Sequence, residues 1–312
     1  MMAGPLAAVV GPTAAGKTEL SLALADRFPI EILVADSRQV YRGMDVGTAK
    51  ADHLARRRVP HHLLDLVEPS DPFTVAEWVA RARALLPQIG ARGQLPLVVG
   101  GTGLYVTALV DGFDFASQPW SPEVRRRLAA ELEVEGLEAL AERLARLDPA
   151  SAARTDVRNP RRLLRALERA ELAGIAAADT VGAEPYPGPV ALLGLTRPLS
   201  VLDRRIGERA TAMFHGGLLD EIRALLERGL DPALPALTGH GYAEAARHLA
   251  GESSLEQAIE ITARRVRRYA RRQLSWFRRD RRIVWLDAGA RPADDPRLVQ
   301  QGSDLLNRLL VG

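Results

Sequence analysis

The chain has 312 residues, 47% of them hydrophobic and 26% charged, with a formal net charge of +3, a balance that fits a globular protein of one main domain plus an insertion. No apolar run approaches membrane-spanning length, and the lack of cysteine excludes disulfides and thiolate metal sites. The N-terminus, "MMAGPLAAVVG", has no basic lead, so no signal peptide is read and the cytoplasm is the expected compartment.

In chain order, "LAAVV" predicts a strand and "TELSLALADRF" a helix. Between them, Gly11, Gly16, Lys17 and Thr18 meet the G-x-x-x-x-G-K-[ST] spacing of a phosphate-cradling loop. Helix-start amides hold phosphate oxygens and the glycines allow close approach. Lys17 is expected on a terminal phosphate and the Thr18 hydroxyl on Mg²⁺. Of the 42 basic residues only Lys17 and Lys50 are lysines. A biased genome accounts for the arginines, and Lys17 stands where a compact ammonium reaches between phosphate oxygens. Lys50 is a weaker case of the same argument.

The next apolar run, "EILVADS", predicts a second strand with Asp36 at its carboxyl end. Asp36 reads as a metal-positioning carboxylate, a general base, or simply a turn residue. A further strand, "LPLVVGGTG", ends in Gly100, Gly101 and Thr102, where a loop-type NTPase would carry a Mg²⁺-holding Asp. The double glycine suggests close backbone approach to a ligand, with a tight turn as the plain alternative.

Residues 113–188 change character and predict only helices. Ser121 and Pro122 open one, Asn159 and Pro160 another that stops at Gly174. Arg125, Arg126, Arg127, Arg161 and Arg162 make this insertion basic. Strands return with "VALLGLT" and "RIVWLDA". The expected fold class is α/β: a P-loop-type parallel sheet flanked by helices, formed by residues 1–112 and 189–312, with an all-helical insertion domain. Near the end, residues 263–282 hold ten arginines and one acid. Val266, Tyr269, Ala270, Gln273, Leu274 and Phe277 form a mostly apolar stripe there, and the charge suggests a polyanion groove. The six histidines have no ligand spacing and read as structural.

Taken together, "GPTAAGKT", "DSRQVYRGMDVGTAK", "PHHLLD", "GGTGLY", "NPRRLLRALE" and "RRYARRQLSWFRR" resemble the tRNA dimethylallyltransferase family over nearly the whole chain. The resemblance implies transfer of a dimethylallyl group from dimethylallyl diphosphate to N6 of the adenosine 3′-adjacent to the anticodon, in tRNAs reading codons that start with U. It makes Mg²⁺ the cofactor and the tRNA anticodon stem-loop the partner, with no membrane and no obligate protein partner, and a monomer is expected. Gly11, Pro12, Thr13, Ala14, Ala15, Gly16, Lys17 and Thr18 would then hold a diphosphate, joined by Arg209 (with Arg205 close by). Asp36 would be the base. Ser37, Arg38, Gln39 and Thr102 would line the end of a channel that takes the flipped-out base. Arg125, Asn159, Pro160, Arg161, Arg162, Gly241, Tyr242, Arg271, Arg272, Gln273, Trp276 and Arg278 match positions that grip the tRNA. Two departures are Ala51 in place of a common Pro, and arginine where the family often has lysine. Other readings are an isopentenyltransferase acting on free adenine nucleotide, a P-loop kinase, and a non-catalytic RNA-binding protein.

Overall fold

The computed structural model describes residues 3–113, 121–172 and 184–311. The chain divides into two compact units, Met1–Asp111 with Pro185–Gly312, and Gly112–Glu184. The first carries a six-stranded sheet in the order β3-β2-β4-β1-β5-β6. Its strands are β1 Leu6–Val10, β2 Ile30–Ala35, β3 His61–His62, β4 Leu95–Gly100, β5 Val190–Thr196 and β6 Val284–Asp287. Every pairing is parallel. Strands β1, β2 and β4 are buried along their whole length, which is why they read as continuous apolar runs rather than as alternation.

The helices α1 Lys17–Ala25, α2 His53–Arg58, α3 Val75–Ala91 and α4 Gly103–Asp111 follow in the first half of this unit. From β1 the chain crosses to β2 in one direction, and from β3 to β4 in the other. Right-handed crossovers therefore place α1 and α3 on opposite faces. Under α1 lies a core of Leu20, Leu24, Ile32, Val34, Leu97 and Leu298. Thr74 and Glu77 form a reciprocal capping box that starts α3. From α3 the fully buried Trp78 stacks on Tyr105, ring centroids 4.9 Å apart. Its Nε1 donates to the Val34 carbonyl at 3.0 Å, two residues before Asp36.

In the second unit, α5 Pro122–Leu147, α6 Pro149–Arg154 and α7 Pro160–Leu172 pack around Leu128, Leu140, Leu144, Leu163 and Leu167. Gly136, at φ +83°, interrupts α5. Ser121 accepts from the Val124 amide, and Asn159 from the Arg161 and Arg162 amides, so both expected caps operate. The stop expected at Gly174 lies outside the described residues. Glu168, fully buried, accepts from the Ser121 amide and from the Arg125 and Arg165 guanidinium groups.

The first unit continues with α8 Leu199–Met213, which passes through a wide turn at Phe214–Leu218 into α9 Leu219–Glu227. Then follow α10 Tyr242–Leu249, α11 Leu255–Phe277 and α12 Pro296–Val311. Ser254 and Gln257 cap the start of α11 reciprocally. Among the described residues no helix is long and apolar enough to cross a membrane.

Replacing Trp78 by Phe keeps most of the apolar volume but removes the hydrogen bond to Val34. This is expected to cost about 1–3 kcal/mol, the price of a buried acceptor left unpaired. Urea denaturation followed by circular dichroism measures it, and an unchanged midpoint would show that the bond contributes nothing.

Candidate active site

The loop between β1 and α1 has left-handed backbone at Gly11 (φ +139°), Ala14 (φ +63°) and Gly16 (φ +102°). Such turns aim successive amides into one concavity. Ala14 adopts that conformation against its Cβ, a penalty of roughly 1–2 kcal/mol that surrounding contacts must hold. Arg197, 3% exposed, supplies part of them: its Nε donates to the Ala15 carbonyl at 2.7 Å. Gly16 caps α1 without a side chain, leaving the first-turn amides available to an anion.

Lys17 and Thr18 line a cavity of about 470 Å³ over this loop, together with Asp36, Gln39, Arg209 and Tyr269. The Lys17 ammonium donates to the Gly11 and Pro12 carbonyls at 3.1 and 2.8 Å. Burial pushes its pKa down to about 8, against the pull of Asp36, with Arg209 adding to the depression. Arg209 is likewise lowered, mainly by burial, and has no hydrogen-bond or ion-pair partner among the described residues. Arg205 instead donates to the Ala14 carbonyl at 2.9 Å and pairs with Glu19 at 3.4 Å. Arg205 thus braces the loop, whereas Arg209 lines the cavity with no such partner among the described residues. Ile32, Val34, Val99 and Ala49 add apolar surface to its wall.

A second cavity of about 200 Å³ is lined by Ser37, Arg38, His240 and Tyr242 among others. Thr13, Asp36, Thr48, Arg209 and Tyr269 line both cavities. Asp36 therefore stands where the two spaces meet. One oxygen of its carboxylate accepts from the Arg38 amide at 2.8 Å, which fixes the side chain. Tyr269 lies beside it; burial above all raises its pKa to about 12, so its phenol stays protonated.

The segment after Asp36 is held by its own polar residues. Thr102 Oγ1 accepts from the Ser37 amide at 3.1 Å. Gln39 donates to the Thr48 carbonyl at 3.1 Å, and Arg38 to those of Pro235 and Ala236. Lys50 corrects its sequence reading: its buried ammonium serves protein oxygens rather than phosphate. It donates to the Tyr41 carbonyl at 2.6 Å and to the Asp45 and Asp65 carboxylates. Glu221 accepts from the Asp45, Val46 and Gly47 amides at 2.8, 2.7 and 3.2 Å, and from the Tyr242 hydroxyl.

Two residues expected on the RNA-gripping surface lie inside. Tyr242 is 1% exposed and packs its ring on Gly47, where a Cβ would strike it. Gln273, 6% exposed, accepts from the Thr13 amide at 2.8 Å and donates to the Gly101 carbonyl at 2.9 Å. It bridges the phosphate loop and the third motif. The glycines of that motif also have a protein reason: a Cβ on Gly100 would meet the Ala35 carbonyl, on Gly101 the Gln273 amide, and on Gly103 the Trp276 ring. Gly241, at φ +93°, opens α10.

On the outer side of α11, Arg271, Arg272, Trp276 and Arg278 are exposed. Arg272 lies 5.8 Å from the Tyr269 ring centroid and Trp276 donates to Thr107 at 3.3 Å. The run is less one-sided than its sequence, because acids from elsewhere pair with it. Arg265 meets Glu244, Arg271 meets Asp203, and Arg282 meets Asp111 as well as Asp280, the one acid of the run itself. In the helical unit Arg125 is tied to Glu168 at 2.7 Å, while Pro160, Arg161 and Arg162 are exposed at the start of α7. The histidines read as structural do make internal bonds at His61 and His62, to the Val59 carbonyl and to Glu31. His61 also lines the larger cavity.

The model of the IPP transferase family matches residues 39–280. This chain belongs to that family. It is 42% identical to the tRNA dimethylallyltransferase of Heliobacterium modesticaldum, covering 97% of this chain and 95% of the relative. With the enzyme of the same name from Anaeromyxobacter dehalogenans it shares 48%, over 95% of this chain and 98% of the other. The crystal structure of the tRNA isopentenylpyrophosphate transferase from Bacillus halodurans superposes with a TM-score of 0.73 at 38% identity, covering 98% and 96% of the two chains. A eukaryotic dimethylallyltransferase acting on tRNA, 23% identical, shares the fold with a TM-score of 0.75 over 98% of this chain and 80% of its own. As a member of the family the chain is a transferase.

Sequence reasoning had no signal for His240 or Thr262, which the fold alone brings to the second cavity. Tyr269 appeared only as part of the apolar stripe of α11.

The lowered Lys17 pKa makes anion binding depend on pH. A bound diphosphate favours the ammonium, so above about pH 8 binding takes up a proton. Affinity for inorganic diphosphate should then fall as pH rises through that value, by up to about tenfold per pH unit relative to Lys17→Met. Titration calorimetry on both proteins from about pH 7 to about pH 9.5 reads the difference. Equal pH slopes for the two would remove Lys17 from the anion site.

Proposed function

We propose that this transferase moves a dimethylallyl group from dimethylallyl diphosphate to N6 of the adenosine 3′-adjacent to the anticodon, in tRNAs reading codons that start with U. The observation that carries the reading is the meeting of two cavities at Asp36. The larger one, with its phosphate loop and apolar wall residues, suits an allylic diphosphate. The smaller, with Ser37 and Arg38 in its wall, suits the base. The names of the relatives support the same donor and acceptor classes.

In this reading the N6 lone pair attacks the allylic C1 while the C1–O bond to the diphosphate breaks. The amine is a poor nucleophile because its lone pair is delocalised into the ring, and the Asp36 carboxylate accepts its proton. Lys17, Arg209 and the loop amides hold the negative charge that collects on the leaving diphosphate. These donors line the cavity before reaction.

Mg²⁺ is the proposed cofactor. The Thr18 hydroxyl, a hard oxygen inside the cavity, fits as its protein ligand. When bound, the ion would neutralise charge on the leaving group.

The tRNA itself would lie along the exposed face of α11, at Arg271, Arg272, Trp276 and Arg278. In the helical unit it would be met by Arg125, Asn159, Pro160, Arg161 and Arg162. The reaction is assigned to the cytoplasm, with the enzyme acting as a monomer.

An unmodified anticodon stem-loop, Mg²⁺ and dimethylallyl diphosphate should give N6-isopentenyladenosine by mass analysis of nucleosides, while ATP in place of the donor gives none. Transfer to free AMP instead would favour a nucleotide prenyltransferase, and phosphorylation from ATP a kinase. Asp36→Asn should lower the rate by about 10²–10⁴-fold, the usual worth of a general base, with stem-loop affinity retained. Undiminished product from Asp36→Asn would assign the base elsewhere.

A further inference from the structure

The smaller cavity holds two polar groups that the proposed chemistry leaves unused. His240 lies between α9 and α10 and faces Tyr269, ring centroids 5.2 Å apart and planes 31° from parallel. Neither ring nitrogen has a hydrogen-bond partner among the described residues. Burial, with Arg265 nearby, pushes its pKa down to about 4. The ring is thus neutral near pH 7 and offers one N–H and one lone pair. Thr262 of α11 lines the same space; it is 1% exposed, and its Oγ1 is buried without a hydrogen-bond partner. The rest of the wall includes Ile206, Met213 and Val266, which offer only apolar surface.

Buried polar groups are normally paired, and one left unpaired in a pocket marks a place where a ligand completes the bond. We propose that His240 and Thr262 read the edge of the acceptor adenine. The inference rests on the reading above, in which the base enters this cavity with N6 at Asp36. N1 and N7 flank N6 on the purine, and both are acceptors. A neutral imidazole N–H and a threonine hydroxyl supply the matching donors, with no charge to desolvate. Guanine would present O6 in place of the amine and N1–H in place of an acceptor, so the donor that faces N1 discriminates against it, whereas N7 is common to both purines. Apolar side chains around them accept the base faces.

The test uses the full-length protein with stem-loops carrying adenosine, 1-deazaadenosine or 7-deazaadenosine at the target position, and dimethylallyl diphosphate as donor. His240→Phe keeps a ring against Tyr269, and Thr262→Val keeps the volume of the side chain. On adenosine each variant should lose about tenfold in kcat/KM for the stem-loop, the scale of one lost neutral hydrogen bond. The KM for the donor and the affinity for inorganic diphosphate should stay unchanged, which also reports that the variants are folded. Wild type should lose about tenfold on each of the two deaza stem-loops, and each variant should lose nothing further on the stem-loop that lacks the acceptor its missing donor would meet. Variants that modify adenosine as well as wild type does, or that lose equally on all three stem-loops, would overturn the assignment. If wild type fails to modify the adenosine stem-loop, the reading of the reaction itself falls, a result visible before any variant is made.

Discussion

Three strand ends on one level set the geometry of this protein. Val10 of β1 pairs in register with Gly100 of β4, and Gly100 with Ala35 of β2. The phosphate loop, the third motif and Asp36 therefore leave the sheet side by side. With strands about 4.8 Å apart, the start of the loop and the carboxylate are separated by on the order of 10 Å. A slip of one residue in β2 would turn Asp36 to the other face of the sheet. Parallel pairing at the carboxyl ends of the strands thus places an anion cradle and a carboxylate in one crevice.

The other elements keep that row from being disturbed. Gly100 lets β2 approach where a Cβ would meet the Ala35 carbonyl. Gln273 binds the phosphate loop to the third motif with both ends of one amide. Lys50 and Glu221 hold the segment after Asp36 from two sides. The charged residues divide into braces and working groups. Arg197 and Arg205 are committed to loop carbonyls, whereas Arg209 keeps its guanidinium for the cavity and Lys17 holds only loop carbonyls that a phosphate can replace.

Much of this was legible in the sequence because it is local. The phosphate loop, the strand before it and the caps at Ser121 and Asn159 depend on residues within one turn of each other. Strands β1, β2, β4 and β5 were visible because they are buried on both faces, although β3, two residues long, gives no pattern and β6 is largely exposed. What depends on distant packing was not legible. The inward turn of Tyr242 and Gln273 requires Glu221 and Gly101, each at least 21 residues away in the chain. The double glycine suggested a ligand, and both glycines line the larger cavity, but that Ala35 and Gln273 occupy the space a side chain would take had no local signal. The arginine run seemed too one-sided for ion pairs until the fold brought Asp203, Glu244 and Asp111 to it. His240 carries no signal in its neighbours at all; only the cavity gives it a role.

The central claim is that donor and acceptor meet at Asp36, and the most direct test is a crystal structure of the protein with an anticodon stem-loop and an unreactive, sulfur-bridged analogue of dimethylallyl diphosphate. The account predicts the diphosphate on the amides of residues 11–18, with the adenine N6 within about 3 Å of the Asp36 carboxylate, hydrogen-bond reach for a general base. An adenine bound outside the smaller cavity, or a diphosphate away from Lys17 and Arg209, would contradict it.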